Sequence, residues 1–197
     1  MLVDRERGEL SFKVAYWGIP GSGKATNLFH LQKQLQPDIE IRIAERETDG
    51  TFPDRVLWLD SLLLPPSVVV RGYRIRFHAF AAPGQATRAA IDQVLKAPDA
   101  VVLVIDPRED RRGVVADNLE LLDELLAEAG SSLDALPHVV QFNKDDLRVT
   151  PIEKLRDRFN RHGAPDVRAS ATRGTGVVET FELAAKLVLA ELMKSAS

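Results

Sequence analysis

The apolar positions of the chain fall into blocks whose period changes along the sequence. Residues 10–17 (LSFKVAYW) form a strand-like run. Glycine-rich GIPGSGK follows, then ATNLFHLQKQLQ, in which Leu28, Leu31 and Leu35 recur at helical spacing. That order predicts strand, loop, helix. Residues 38–53 have almost no periodicity and end in TDGTFP, so they read as a long loop, a kind of segment that in compact domains usually carries function. Two apolar runs come next, 56–64 and 68–80, separated by Pro65 and Pro66, with Gly72 placed to turn the chain within the second. They are expected as antiparallel strands on one edge of a sheet.

AAPGQ at 81–85 then punctuates the chain, and TRAAIDQVLKAP reads as a short helix stopped near Pro98. DAVVLVIDP is almost continuously apolar, as in a strand covered on both faces, and is expected at the sheet centre. Residues 117–130 place Leu119, Leu122, Leu125 and Leu126 on one helical face, with Gly130 as terminator. HVVQFNK predicts a strand, 151–162 a helix with Leu155 and Phe159 inward, PDVRAS a short strand, and 176–194 a last helix. Alternating strands and helices predict an α/β fold, a mostly parallel sheet with helices on both faces. No repeat or linker interrupts it.

At 197 residues the chain fits one domain on the usual scale of about 100–200 residues per domain. With 45% hydrophobic and 28% charged residues, disorder and low complexity are excluded. A net charge of -3 lacks the basic footprint of a protein that grips phosphate backbones, so nucleic acid is not an expected partner. The absence of cysteine confines any chemistry to oxygen and nitrogen groups. Residues 1–10 lack a signal-peptide core, and no stretch is long and apolar enough for a membrane span. Position 2 is leucine and the chain ends KSAS, without lipidation signals. A cytoplasmic protein with no direct membrane anchor is expected.

The sharpest chemical signal is G-x-x-x-x-G-K from Gly18 to Lys24, placed after a strand and opening a helix. Gly18, Gly21, Ser22 and Gly23 would let backbone N–H groups approach phosphates, the helix start adds its positive end, and Lys24 neutralises the outer charge. An ordinary strand-to-helix turn is the competing reading, and the flanks argue against it. Asn143-Lys144-Asp145-Asp146 ends a later strand. Asp146 can accept from the N1 and N2 donors of guanine, a pair adenine lacks. Asn143 can support that loop, and Lys144 can cover the base with its aliphatic stem. Ser170, Ala171 and Thr172 follow the next strand, where a backbone N–H can reach a guanine oxygen.

Together these segments resemble the small Ras-like GTPases over about residues 10–194. The nearer likeness is to bacterial gliding and polarity GTPases of the MglA type, carried by FKVAYWGIPGSGKATNL, YRIRFHAFAAPGQ, VVQFNKDDL and ASATRGTGVVETF. The resemblance implies a three-layer P-loop NTPase fold, a Ras-like G domain with a six- or seven-stranded sheet, binding GTP and GDP. It also implies two switch loops and a homodimeric roadblock-domain regulator of the MglB type that accelerates hydrolysis. Ala25, Thr26 and Gly84 fall within the nucleotide-binding motifs it implies, and Gln85 matches the glutamine that orients the attacking water.

Several positions depart from that pattern. The hydroxyl residue that binds magnesium after the P-loop lysine is Ala25, and Thr26, one place on, points about 100° away on a helix. The position three residues before the switch II glycine is Ala81, which offers neither carboxylate nor hydroxyl. Alignment of the first switch puts Gly50 at the arginine finger and Thr51 at the threonine that closes on metal and phosphate. Arg46 and Arg55 lie nearby and read as solvated loop residues or as substitutes. No metal ligand is certain, magnesium is expected with impaired protein ligation, and intrinsic hydrolysis is expected to be weak or absent.

Three readings follow: a switch whose hydrolysis a partner completes, a catalytically degenerate protein-binding module, and a P-loop ATPase or kinase, against which NKDD argues. Asp106 ends a strand resembling a Walker B pattern, where a metal contact and a polar residue without catalytic duty compete. The four histidines are scattered without a zinc pattern, and residues 107–113 (PREDRRG) read as solvated loop.

Overall fold

A computed structural model describes residues 1–35, 41–46, 54–63, 69–70, 72–82, 86–147 and 150–194, with 41–46, 54–63 and 69 described by backbone alone. Strands β1 (Leu2–Asp4) and β2 (Glu9–Trp17) precede helix α1 (Lys24–Leu35). Next come β3 (Ile41–Arg46), β4 (Asp54–Leu63), β5 (Val69–Val70), β6 (Tyr73–Ala81) and α2 (Arg88–Leu95). The second half alternates β7 (Ala100–Ile105), α3 (Arg112–Glu128), β8 (His138–Phe142), α4 (Ile152–Phe159), β9 (Asp166–Arg168) and α5 (Val177–Lys194).

The described strands form one sheet in the order β3-β4-β6-β2-β7-β8-β9, with β1 added along β2 and β5 along β6. β2 runs parallel to both β6 and β7, and the parallel run continues through β8 and β9. Among the described strands, only the β3-β4 side and the short β1 and β5 additions pair antiparallel. This is the expected α/β architecture.

Period-two alternation sorts the core into two layers. On one face Phe12, Val14, Tyr16 and Val102 pack against Leu28 and Leu31 of α1 and Phe181, Ala184 and Val188 of α5. On the other, Ala15, Trp17, Val101 and Leu103 meet Val94 of α2, Leu122 and Leu126 of α3, and Phe159 of α4. Each fully buried leucine or phenylalanine contributes about 1.5–3 kcal/mol, so α1 is held by Leu28 and Leu31 more than by its own propensity. α2 starts where Thr87 Oγ1 accepts from Ala90 N–H at 3.4 Å. α3 closes with the Gly130 N–H donating to Ala127 O and the Ser131 N–H to Leu126 O.

The structure corrects four expectations. The loop expected over 38–53 contains β3, where Ile41 and Ile43 alternate with Arg42 and Ala44; the stretch is too short and charged to register as periodic. Arg46 and Arg55 therefore lie on paired strands, β3 and β4, and not in a loop. The run 56–80 is not all at the edge: β6 sits between β4 and β2, and β3 takes the border. Finally, 107–113 is solvated as expected at Glu109, Asp110 and Gly113 but is not all loop, because Glu109–Arg111 form a 3-10 turn and α3 begins at Arg112, ahead of the expected Asp117.

Candidate nucleotide-binding site

β2, β7, β8 and β9 all end at the same border of the sheet, so the segments that follow them converge there, the usual location of ligands in parallel α/β sheets. The β2-α1 loop has a backbone only glycine adopts at two points. Gly18 has φ +152°, and a Cβ there would lie 2.4 Å from Val104 O. Gly23 has φ +109°, and its Cβ would lie 2.1 Å from Asn143 Nδ2. Close approach of β7 and β8 thus leaves no room for side chains under the loop. Lys24, 7% exposed, folds its Nζ back to donate to Gly18 O at 2.5 Å and Ile19 O at 3.0 Å. The Ser22 side chain is fully buried, and its Oγ has no hydrogen-bond partner among the described residues.

Burial lowers the Lys24 ammonium to about 8. The protonated amine is the form that would neutralise a phosphate, so for the GDP binding that the sequence resemblance implies, affinity is expected to be level below about pH 7 and to fall by up to about tenfold per pH unit above 8. Calorimetric titration across that interval reads the slope, and Lys24→Ala removes it.

Asn143 is the joint of the site. Its Nδ2 donates to Ser22 O at 2.6 Å, and its Oδ1 accepts from Ala171 N–H at 2.8 Å, so one buried amide ties the β2-α1 loop to the loop after β9. Of the backbone N–H groups of 170–172 expected to reach a base oxygen, that of Ala171 is donated to Asn143 Oδ1 and that of Ser170 to Thr175 O. Ser170 Oγ donates to Asp146 Oδ1 at 2.6 Å, and this bond chiefly holds the Asp146 carboxyl below the ordinary aspartate range. Ser170 Oγ also lies 3.2 Å from Thr172 Oγ1. The segments 18–24, 143–146 and 170–172, read separately in the sequence, are therefore adjacent in space.

Lys144 has φ +60°, and its Nζ donates to Asp106 Oδ2 at 2.6 Å. Asp106, fully buried, also accepts from Arg108 Nη2 at 2.8 Å. Burial pushes its carboxyl up, but the bonds from Arg108 and Lys144 outweigh this and leave it below the usual range. The Asp106 carboxylate is thus committed to two cations, which disfavours the metal reading and makes it a brace for Lys144.

Ala25 is half-buried on the first turn of α1, and Ala81, at the end of β6, is buried. Neither supplies a side-chain oxygen. Thr26 is half-buried on α1. Gly50, Thr51, Gly84 and Gln85 lie outside the described residues. Among the described residues, no group of three or more His, Asp or Glu side chains is arranged to hold a metal. His138 and His162 stack edge to face at 5.6 Å, with His138 Nδ1 2.9 Å from Leu136 O and His162 against Asp134, away from these loops.

Sequence reading missed three participants. Asn27, Gln141 and Thr180 are each fully buried and join α1, β8 and α5 beneath the site. Their trace in the sequence was a polar residue inside an otherwise apolar face, Gln141 within HVVQF above all.

A glycine-shaped loop feeding a helix at the carboxyl end of a central parallel strand, in a sheet of this order, defines a P-loop protein of Ras-like architecture. No family model matches the chain. It is 35% identical over 189 residues, 94% of each chain, to the mutual gliding-motility protein MglA of Myxococcus xanthus (strain DK1622). The chain belongs to the MglA-type small GTPases. Among the described residues, no helix is long and apolar enough to cross a membrane.

Proposed function

We propose that this chain is a guanine-nucleotide switch of bacterial polarity or motility control, a single cytoplasmic G domain across 1–197 with weak or partner-dependent GTP hydrolysis. The observation that carries the reading is the Asn143 amide, bonded to Ser22 and Ala171 at once, which joins a phosphate-shaped loop to a base-shaped one. In this reading Gly18, Gly21, Gly23 and Lys24 cradle phosphates. Asp146 accepts from the base, Lys144 covers it, and Ser170 holds Asp146 in place. Gln85 orients water, Thr51 closes on the terminal phosphate, and a homodimeric roadblock-domain protein of the MglB type is the regulator.

A bound magnesium ion would offset phosphate charge, but Ala25 and Ala81 give it no side-chain oxygen. The described residues do not fit a protein-held metal, and no step of the proposed cycle uses one. An arginine finger contributes roughly 10³–10⁵ in rate, and Gly50 offers none. These same residues favour a second reading, a catalytically degenerate GTPase fold acting as a protein-binding module.

Turnover separates the two. A partner-dependent switch hydrolyses GTP once the roadblock protein is titrated in, whereas the module stays at background throughout. Ala25→Thr places a hydroxyl at the metal position, and GDP affinity is then expected to fall by about tenfold on chelation. The unmodified protein is expected to respond by less than about threefold, as read by fluorescent-nucleotide titration with and without chelator.

A further inference from the structure

Asn27, Gln141 and Thr180 form a closed polar chain in the layer between sheet, α1 and α5. Asn27 Nδ2 donates to Gly23 O at 2.9 Å and to Gln141 Oε1 at 2.9 Å. Gln141 Nε2 returns a bond to Asn27 Oδ1 at 2.8 Å and gives its second to Thr180 Oγ1 at 2.9 Å. Thr180 Oγ1 donates to Gly176 O at 2.6 Å. Every side-chain donor in this chain is used, in a site with no exposure to water. Such a network fixes one arrangement, because any displacement strands a buried polar group.

The ends of the chain matter more than its middle. Gly23 O belongs to the phosphate loop, and Gly176 O closes the loop that carries Ser170–Thr172. Gln141 lies on β8 two residues before Asn143, so by strand alternation both face the same side. Asn143 therefore ties the three loops at the rim of the sheet, and Gln141 ties their supporting elements one layer below. An apolar trio of similar volume would pack as well, but would not specify where β8 stands relative to α1.

We propose that Asn27, Gln141 and Thr180 are positioning residues that set the separation of the phosphate and base loops, and thereby the selectivity for guanine. The proposal rests on the nucleotide-binding reading above. A nucleotide anchored by its phosphates presents its base at a fixed distance. A small shift of β8 moves Asp146 off the 2-amino group of guanine while leaving phosphate contacts intact.

The test compares GDP with inosine diphosphate, which lacks that amino group, on the double variant Asn27→Leu with Gln141→Leu and on Thr180→Val. Removing both amides together avoids stranding one. The melting midpoint of each nucleotide-free protein shows that it folds, and Thr180→Val carries the test if the double variant does not. GDP affinity is expected to fall by about tenfold in the double variant, and the preference for GDP over inosine diphosphate by about threefold or more. Thr180→Val is expected to lower the same preference by about twofold or more.

A preference that stays at the wild-type value in the folded variants, whether or not overall affinity drops, assigns the trio a structural role only and overturns the proposal. Wild-type protein that takes up neither nucleotide overturns the nucleotide reading and this inference with it.

Discussion

Gly23→Ala is expected to abolish nucleotide uptake and to destabilise the fold. The new methyl group would lie 2.1 Å from Asn143 Nδ2 at φ +109°, a conformation L residues rarely adopt. The colliding atom cannot swing away cheaply, since the Asn143 amide is bonded at both ends, to Ser22 O and Ala171 N–H. Relief requires lifting the phosphate loop off β8 or breaking those bonds. Backbone strain costs about 1–3 kcal/mol, and stranding buried polar groups costs about as much again. Denaturant titration reads that loss, and GDP affinity is expected to fall by at least about 100-fold. Gly21→Ala is the control: at φ +75° nothing lies within 4 Å of its Cβ, so only the conformational strain remains. Equal effects of the two substitutions would contradict the assignment of Asn143 as the joint of the site.

Asp146→Asn is expected to exchange one base preference for another with little change in stability. The carboxylate accepts only, which matches the two donors on the guanine edge, whereas an amide accepts once and donates once. Guanine then faces a donor with a donor, and GDP affinity is expected to fall by about 100-fold or more. Xanthine, which carries a carbonyl where guanine has its amino group, gains a partner, so xanthosine diphosphate should bind the variant better than GDP. Ser170 Oγ donates to Asp146 Oδ1 at 2.6 Å, and an asparagine carbonyl can still accept that bond. The melting midpoint should therefore hold. Competition binding with both diphosphates decides the matter, and a variant that still prefers GDP would remove Asp146 from base recognition.

Much of this architecture was legible because its signals were long and regular. β2, β7 and β8 are apolar runs ending in chemistry, and the glycines of 18–23 sit where a strand yields to a helix. The phosphate-loop lysine and the NKDD cluster could be named from residue types because phosphate and guanine make specific demands. What escaped had weak local signals. β3 is an alternation of a few residues whose pairing with β4 decides its state, and β6 looked like an edge strand until long-range pairing put it beside β2.

The roles of Asp106 and of the Asn27-Gln141-Thr180 chain depend on partners 38, 114 and 39 residues away in sequence, which no local pattern encodes. The Asp106 strand end resembles a metal-binding motif, but the meaning of its carboxylate is fixed by Lys144 and Arg108. Local spacing shows which residues can do chemistry, and the tertiary hydrogen bonds show which of them are already engaged.

In the proposed function the phosphate loop, Asn143, Asp146 and Ser170 together form a guanine-nucleotide site. The most direct measurement is calorimetric titration of nucleotide-stripped protein with GDP and, separately, with ADP. Saturable binding of GDP at one site is expected, with a preference over ADP of at least about 100-fold. Equal affinity for the two, or no binding of GDP by folded protein, would contradict it.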